Sequence, residues 1–172
     1  MRAMAGIWPF CKGTILLPER SSIMFLPQKP YLPLGTLRDG LCYPYPEGYG
    51  EDGLREALFL CGLQDLIGSM DKTEDWSHAL SLGEQQRLAF SRVLLVKPDF
   101  IFLDEATASL DEKSEAVLYR LLQSKLPHSA VTSVGHRSSL LVWHSERLTF
   151  EGDGAWVKSG LEIEDKGPHQ SS

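Results

Sequence analysis

No run in these 172 residues approaches the roughly 18 consecutive apolar residues that a membrane-crossing helix requires. Cysteine is scarce. Cys11, Cys42 and Cys61 are odd in number and show no CxxC spacing, which argues against a disulfide framework or a zinc site and for reduced thiols in a cytosolic compartment. Excess basic charge is missing too. Lys and Arg number 17 against 23 Asp and Glu, a net charge of −6, so a general nucleic-acid binder with a basic stripe is not expected. The opening MRAMAGIWPF has one Arg and no adequate apolar core, which makes it a poor signal peptide. No internal repeat is visible. What remains is an ordinary apolar fraction of 42%, enough for one globular domain with a real core.

The chain is organised around Leu80 to Asp111, LSLGEQQRLAFSRVLLVKPDFIFLDEATASLD. Phe100, Ile101, Phe102 and Leu103 form a short apolar run behind Pro98 and Asp99, which suits an interior strand of a parallel sheet, covered on both faces. The run ends at Asp104 and Glu105. In open parallel sheets ligands sit at the carboxyl ends of strands, so two adjacent acids lie where chemistry is usually done. The first half reads as a helix, with Leu88, Val93, Leu94 and Leu95 on an apolar face and Gln85, Gln86, Arg87 and Arg92 on a polar one. Ser81 and Gly83 precede it, where a hydroxyl and free N–H groups could hold an anion; the plainer reading is an N-capping turn with Glu84 favoured by the helix dipole.

LSLGEQQRLAFSRVLL followed by FIFLDEATASLD resembles the signature motif, Walker B motif and D-loop of an ATP-binding-cassette (ABC) ATPase domain. The form LSLGEQQRLAFSR, with GIWPF earlier, is most similar to peroxisomal-type half-transporters and their bacterial relatives. Leu82 replaces a glycine and Glu84 a glutamine of the common LSGGQ. The resemblance implies an α/β fold of the P-loop NTPase type: a mainly parallel sheet flanked by helices, with a helical subdomain, shortened at its N-terminus. It covers residues 1–158, with the helical subdomain at about 47–80 and the signature, Walker B, D-loop and switch histidine at 81–158. Residues 159–172 turn polar and are expected to be a disordered tail.

By the same resemblance, Asp104 would hold Mg²⁺ and Glu105 would take the proton of the attacking water. Gln28, on the loop of SSIMFLPQKPYLP, matches the Q-loop glutamine that reaches the metal and the water. His136, at the end of an Ala130–Val134 strand in SVGHR, matches the switch histidine; His128 and His144 lack such a context. Ser81, Gly83, Glu84 and, in the D-loop, Asp111 would contact nucleotide held by a partner. The implied cofactors are ATP and Mg²⁺. The implied partners are a transmembrane domain and a second ABC ATP-binding domain facing head to tail, at the cytoplasmic face of a membrane, with no nucleic acid.

One family element is absent: GxxxxGK[ST], whose backbone N–H groups and Lys hold the phosphates, occurs nowhere in the sequence. MRAMAGIWPFCKGTI reads as a helix tail, a turn at Pro9 to Gly13 and a strand entry at Thr14 to Leu17. It resembles the part of the family that follows the phosphate-binding helix. The expectation is therefore an incomplete chain with little activity alone. The alternative is a non-catalytic cassette module that lends its signature to a partner. A DNA-repair type ABC ATPase would carry a coiled coil or zinc insert between Gln28 and Ser81, and neither heptads nor CxxC occur there. A translation-type protein would carry two cassettes.

Elsewhere the reading is structural. Asp52 is expected to cap a helix carrying Leu54, Ala57, Leu58 and Leu60, with Gly62 near its end and a short helix at Gln64 to Gly68. Trp76 is expected in the core and His78 at the surface. Asp111, Ser114 and Glu115 read as the start of a helix that continues to Leu126, and Ser138 to His144 as a short helix. Arg147 to Phe150 and Ala155 to Val157 read as a hairpin around Gly152, Asp153 and Gly154.

Overall fold

The computed structural model describes residues 3–10, 12–45, 48–151 and 154–161. They form two units that divide after Val134. The first contains a parallel sheet of β1 (Ile23–Pro27), β4 (Phe100–Asp104) and β5 (Ala130–Val134), in the order β1-β4-β5, so the apolar Phe100 to Leu103 run is the central strand. The register aligns Pro27, Asp104 and Val134, which makes all three strands end level. At the opposite end, Asp99 fixes that register. Its carboxylate accepts from the Ser22 N–H at 2.7 Å and the Ser22 hydroxyl at 2.9 Å.

One sheet face is sealed. Leu26, Ile101 and Leu103 are buried, and on the same face the Tyr119 hydroxyl of α5 (Glu112–Lys125) meets Ser133 Oγ at 2.7 Å. The second face is covered only in part: Phe102 is buried there. There Phe25 and Phe102 stack on each other, centroids 4.8 Å apart, while Ile23, Phe25 and Phe100 stay half-buried and Thr132 exposed.

A second core is helical. Leu37 and Leu41 of α1 (Leu37–Cys42), Leu54 and Leu58 of α2 (Glu51–Leu60), Trp76 of α3 (Trp76–Ala79) and Leu88 of α4 (Leu82–Val96) pack into one cluster. Trp76 is thus a core residue, as expected. Between α2 and α3 lie a 3₁₀ turn at Gln64–Ser69 and β3 (Thr73–Glu74), which pairs antiparallel with β2 (Gly35–Thr36). Three helices start on side-chain caps. Thr36 and Asp39 form a capping box on α1, Ser81 and Glu84 form one on α4, and the Asp111 carboxylate accepts from the Lys113 and Ser114 N–H groups at 3.0 Å. Asp52 is not a cap: Gly50 holds that position and Asp52 lies in the first turn of α2. No helix among the described residues is long and apolar enough to cross a membrane.

Two further expectations fail. Residues 3–6 form a turn, closed by Gly6 N–H to the Ala3 carbonyl, and not a helix tail. Thr14 to Leu17 is no strand, because no partner ladder meets it, and Ile15, Leu16 and Leu17 are exposed. The second unit holds a 3₁₀ turn at Ser138–Trp143 and the antiparallel pair β6 (Glu146–Phe150) and β7 (Trp156–Gly160). The hairpin is as expected, and β7 runs past Val157. Gly152 and Asp153 of its turn lie outside the described residues. So do residues 162–172, most of the expected tail.

Candidate functional site

Level strand ends create the site. Gln28 directly follows Pro27 of β1, Asp104 closes β4 beside it, and Glu105 comes next. All three line one cleft of about 790 Å³, together with Tyr31, Arg92 and Phe102. Glu105 leaves the strand at φ +52°, in the left-handed region that a residue other than glycine seldom adopts. Its N–H donates to the Val134 carbonyl at 2.9 Å, which pins this turn against the end of β5. The following loop is held from inside: the Thr107 hydroxyl donates to the buried Glu115 carboxylate of α5 at 2.8 Å.

The second group of residues gathers at the start of α4. The Ser81 N–H and hydroxyl donate to the Glu84 carboxylate at 2.9 and 2.6 Å, and the Glu84 N–H returns a bond to Ser81 Oγ at 3.3 Å. Those bonds hold the Glu84 carboxyl below its ordinary value, the Ser81 hydroxyl being the largest cause. A Cβ at Gly83 would stand 3.3 Å from Leu110 Cδ2 and 3.4 Å from the Ser109 carbonyl, so the Ser81 turn and the Ser109 to Asp111 loop touch through a glycine. His136 lies two residues beyond β5, in the unit that starts at Gly135.

Sequence reasoning misjudged α4. Its polar face is largely interior: Gln86 is 0%, Gln85 4% and Arg92 5% exposed, and Arg87 is half-buried. Gln85, Gln86 and Arg92 each donate side-chain N–H groups to backbone carbonyls, while Gln85 Oε1 and Arg92 Nη2 are buried without a hydrogen-bond partner among the described residues. Gln85 Nε2 donates to the Ser77 and Leu80 carbonyls at 2.9 Å. Gln86 Nε2 donates to the Gln28 carbonyl at 2.8 Å, and its Oε1 accepts from the Ser109 N–H at 3.1 Å. Arg92 Nε donates to the Gly40 carbonyl at 2.7 Å and Nη1 to the Tyr31 carbonyl at 2.9 Å. α4 is therefore a post from which the loops of both groups hang. The available signal was the run of long polar residues beside a capping turn, which periodicity alone reads as polar without saying what it faces.

Metal chemistry is limited by the donors. Among the described residues no three His, Cys, Asp or Glu side chains cluster to hold an ion by themselves. Asp104 and Gln28 offer hard oxygen donors, which fit Mg²⁺, a cation that keeps several waters and takes phosphate oxygens. The chain's own Asp and Gln would complete its shell and could not replace it.

Hydrogen-bonded carboxylates, three at helix caps and Asp99 at the far end of the sheet, give the chain a pH dependence. Asp39, Glu84, Asp99 and Asp111 are all held below the ordinary carboxylate range by hydrogen bonds from Thr36, Ser81, Ser22 and Ser114 respectively. A depressed folded-state pKa means that the unfolded chain binds more protons as pH falls. Stability from these groups is present above about pH 4 and drains away as pH drops through the folded values. Urea midpoints at pH 7 should exceed those at pH 3. Ser81→Ala should move the Glu84 titration, followed by carboxyl NMR, upward towards the ordinary range; an unmoved titration would refute the cap as its cause.

Comparison with known proteins agrees with these parts. The family profile described as ABC transporter matches residues 13–108. An uncharacterized ABC transporter ATP-binding protein of Haemophilus influenzae is 44% identical over 157 residues, 91% of this chain and 26% of that protein. The lysosomal cobalamin transporter ABCD4 of Mus musculus is 37% identical over 95% of this chain and 29% of its own length. The chloroplastic ABC transporter D family member 2 of Arabidopsis thaliana is 37% identical over 86% of this chain and 28% of its own. The chain thus spans about a quarter of the length of the curated relatives it matches. With more than half its residues under the family profile, and a signature turn, a strand ending in Asp-Glu and a Gln loop at one sheet end, the chain belongs to the ABC transporter ATP-binding family.

Proposed function

We propose that this chain is part of the ATP-binding and ATP-hydrolysing domain of an ABC transporter, and that it supplies the hydrolytic rim and the signature turn of a composite nucleotide site. One observation carries the reading: Gln28, Asp104 and Glu105 line a single cleft at the level carboxyl ends of β1 and β4. Asp104 and the Gln28 side chain bind Mg²⁺, which, when present, neutralises phosphate charge. Glu105 accepts the proton of the attacking water, and Gln28 orients that water. His136 donates a hydrogen bond to the γ-phosphate. Ser81 and Gly83 present a hydroxyl and an N–H to nucleotide seated on a second cassette, with Glu84 bracing the Ser81 turn and Asp111 fixing the loop beside it. The full protein carries transmembrane helices and moves a substrate across a membrane, with this domain on the cytoplasmic side.

A second reading is a module that lends its signature turn to a partner cassette without turning over ATP itself. Nucleotide binding tests the shared premise. Calorimetry with MgATP should give a dissociation constant above about 1 mM for this chain alone, since no backbone cradle holds the phosphates. Adding this chain to a relative's cassette that carries its own P-loop should tighten that cassette's ATP affinity by about tenfold, and Ser81→Ala should weaken the gain. Micromolar binding by this chain alone, or no effect on the partner, would refute the composite site.

A further inference from the structure

One side chain joins the two loops that carry the site. The Gln86 amide is wholly buried on α4, and its two ends reach backbone 58 residues upstream at Gln28 and 23 residues downstream at Ser109. The amide itself is shielded from water, which makes the loss of either bond costly. The post itself is fixed, by Gln85 on the Ser77 and Leu80 carbonyls and by Arg92 on the Gly40 and Tyr31 carbonyls. Oxygen and nitrogen of one amide share a rigid plane. A shift of the Ser109 N–H that pulls on Oε1 therefore turns Nε2 against the Gln28 carbonyl.

We propose that Gln86 is a positioning residue that couples the Ser109 turn to the Gln28 loop, passing movement of one to the other through its side-chain amide. Its purpose rests on the ATP reading above: Ser109 belongs to the loop beside the signature turn, where a second cassette would press, and Gln28 is the residue placed at metal and water. Contact with the partner at Ser109 thereby sets whether Gln28 is in position. Gln86 acts only through Gln28 and touches neither nucleotide nor metal.

The test uses the ¹⁵N-labelled 172-residue chain without nucleotide. The Lys29 amide nitrogen is bonded to the Gln28 carbonyl carbon and reports on that carbonyl's hydrogen bond. Exchange of the Ser109 amide proton reports on the other end. Gln86→Leu should speed Ser109 exchange by about tenfold or more and move the Lys29 resonance. Gln86→Glu keeps an acceptor for Ser109 and loses the donor to Gln28. It should leave Ser109 protected and displace Lys29 at pH 8. Lys29 should return towards its parental position as pH falls and the introduced, buried carboxyl gains a proton. Ser109→Pro, which removes the N–H, should move Lys29 in the parent but not in the Gln86→Leu background.

A packing role alone gives no return of Lys29 with pH and no dependence of the Ser109→Pro effect on residue 86; either result overturns the coupling. Paired with a P-loop-bearing cassette, Gln86→Leu should lower kcat about tenfold with KM for ATP within about twofold. An unchanged kcat overturns the positioning role and leaves the ATP reading standing. A parent pair that never turns over ATP sinks the ATP reading, while the resonance measurements still decide the coupling.

Discussion

Glu105→Gln, in a complex with a cassette that supplies the P-loop, is expected to cut ATP turnover by about 100-fold or more while ATP affinity stays within about threefold. On the proposed reading the change removes a proton acceptor and almost nothing else. Glutamine matches glutamate in length, so the left-handed turn at φ +52° and the N–H bond to Val134 survive. On that same reading Asp104, one residue earlier, would still offer its carboxylate to Mg²⁺, so nucleotide binding should persist. Phosphoryl transfer depends mostly on positioning and charge, and loss of the base slows the proton step. Asp104→Asn should differ in kind, weakening Mg²⁺-dependent binding as well. Equal turnover in the Glu105→Gln complex would remove Glu105 from the chemistry, whatever its place in the cleft.

Arg92→Leu carries the largest expected effect on stability. The guanidinium is 5% exposed and, among the described residues, has no carboxylate partner. Burial draws its pKa down to about 10, which still leaves it charged at neutral pH. Keeping that charge desolvated costs about 3 kcal/mol, the worth of the shift from its usual 12.5. The substitution relieves this cost. Against it stand two charge-assisted bonds, to Gly40 and Tyr31, each worth about 1.5–3 kcal/mol, and the Tyr43 ring 5.6 Å from the guanidinium carbon. Losing those bonds leaves two interior carbonyls without a partner. Gly40 lies near the C-terminus of the six-residue α1, where carbonyls have no partner in the helix. The losses outweigh the relief, and Arg92→Leu should destabilise the chain by about 1–4 kcal/mol in urea unfolding. A change under about 0.5 kcal/mol would mean that water or a rearranged loop satisfies both carbonyls.

The residues at the strand ends were legible in the sequence because strands announce themselves by composition. Phe100 to Leu103 is apolar without interruption and stops at two acids, and the central strand is found there. Capping chemistry was equally local: Ser81 with Glu84 and Asp111 with Ser114 act within three residues of each other. Thr36 with Asp39 obeys the same rule, and α1 was nevertheless overlooked, because a six-residue helix shows no periodicity to read. The roles of Gln86 and Arg92 were hidden for a different reason. Their partners, Gln28, Ser109, Gly40 and Tyr31, lie from 23 to 61 residues away, and the atoms contacted are backbone, which leaves no trace in side-chain identity. The Thr14 to Leu17 stretch erred the opposite way. Its apolar character is real, but a strand is defined by a neighbour, and local composition cannot show whether one is present.

ATP turnover by the purified 172-residue chain, measured alone and then mixed with a relative's P-loop-bearing cassette, tests the composite-site account most directly. The account predicts negligible hydrolysis alone and hydrolysis in the mixture that falls when Glu105 or Ser81 of this chain is replaced. Robust, Mg²⁺-dependent turnover by the chain alone would contradict it.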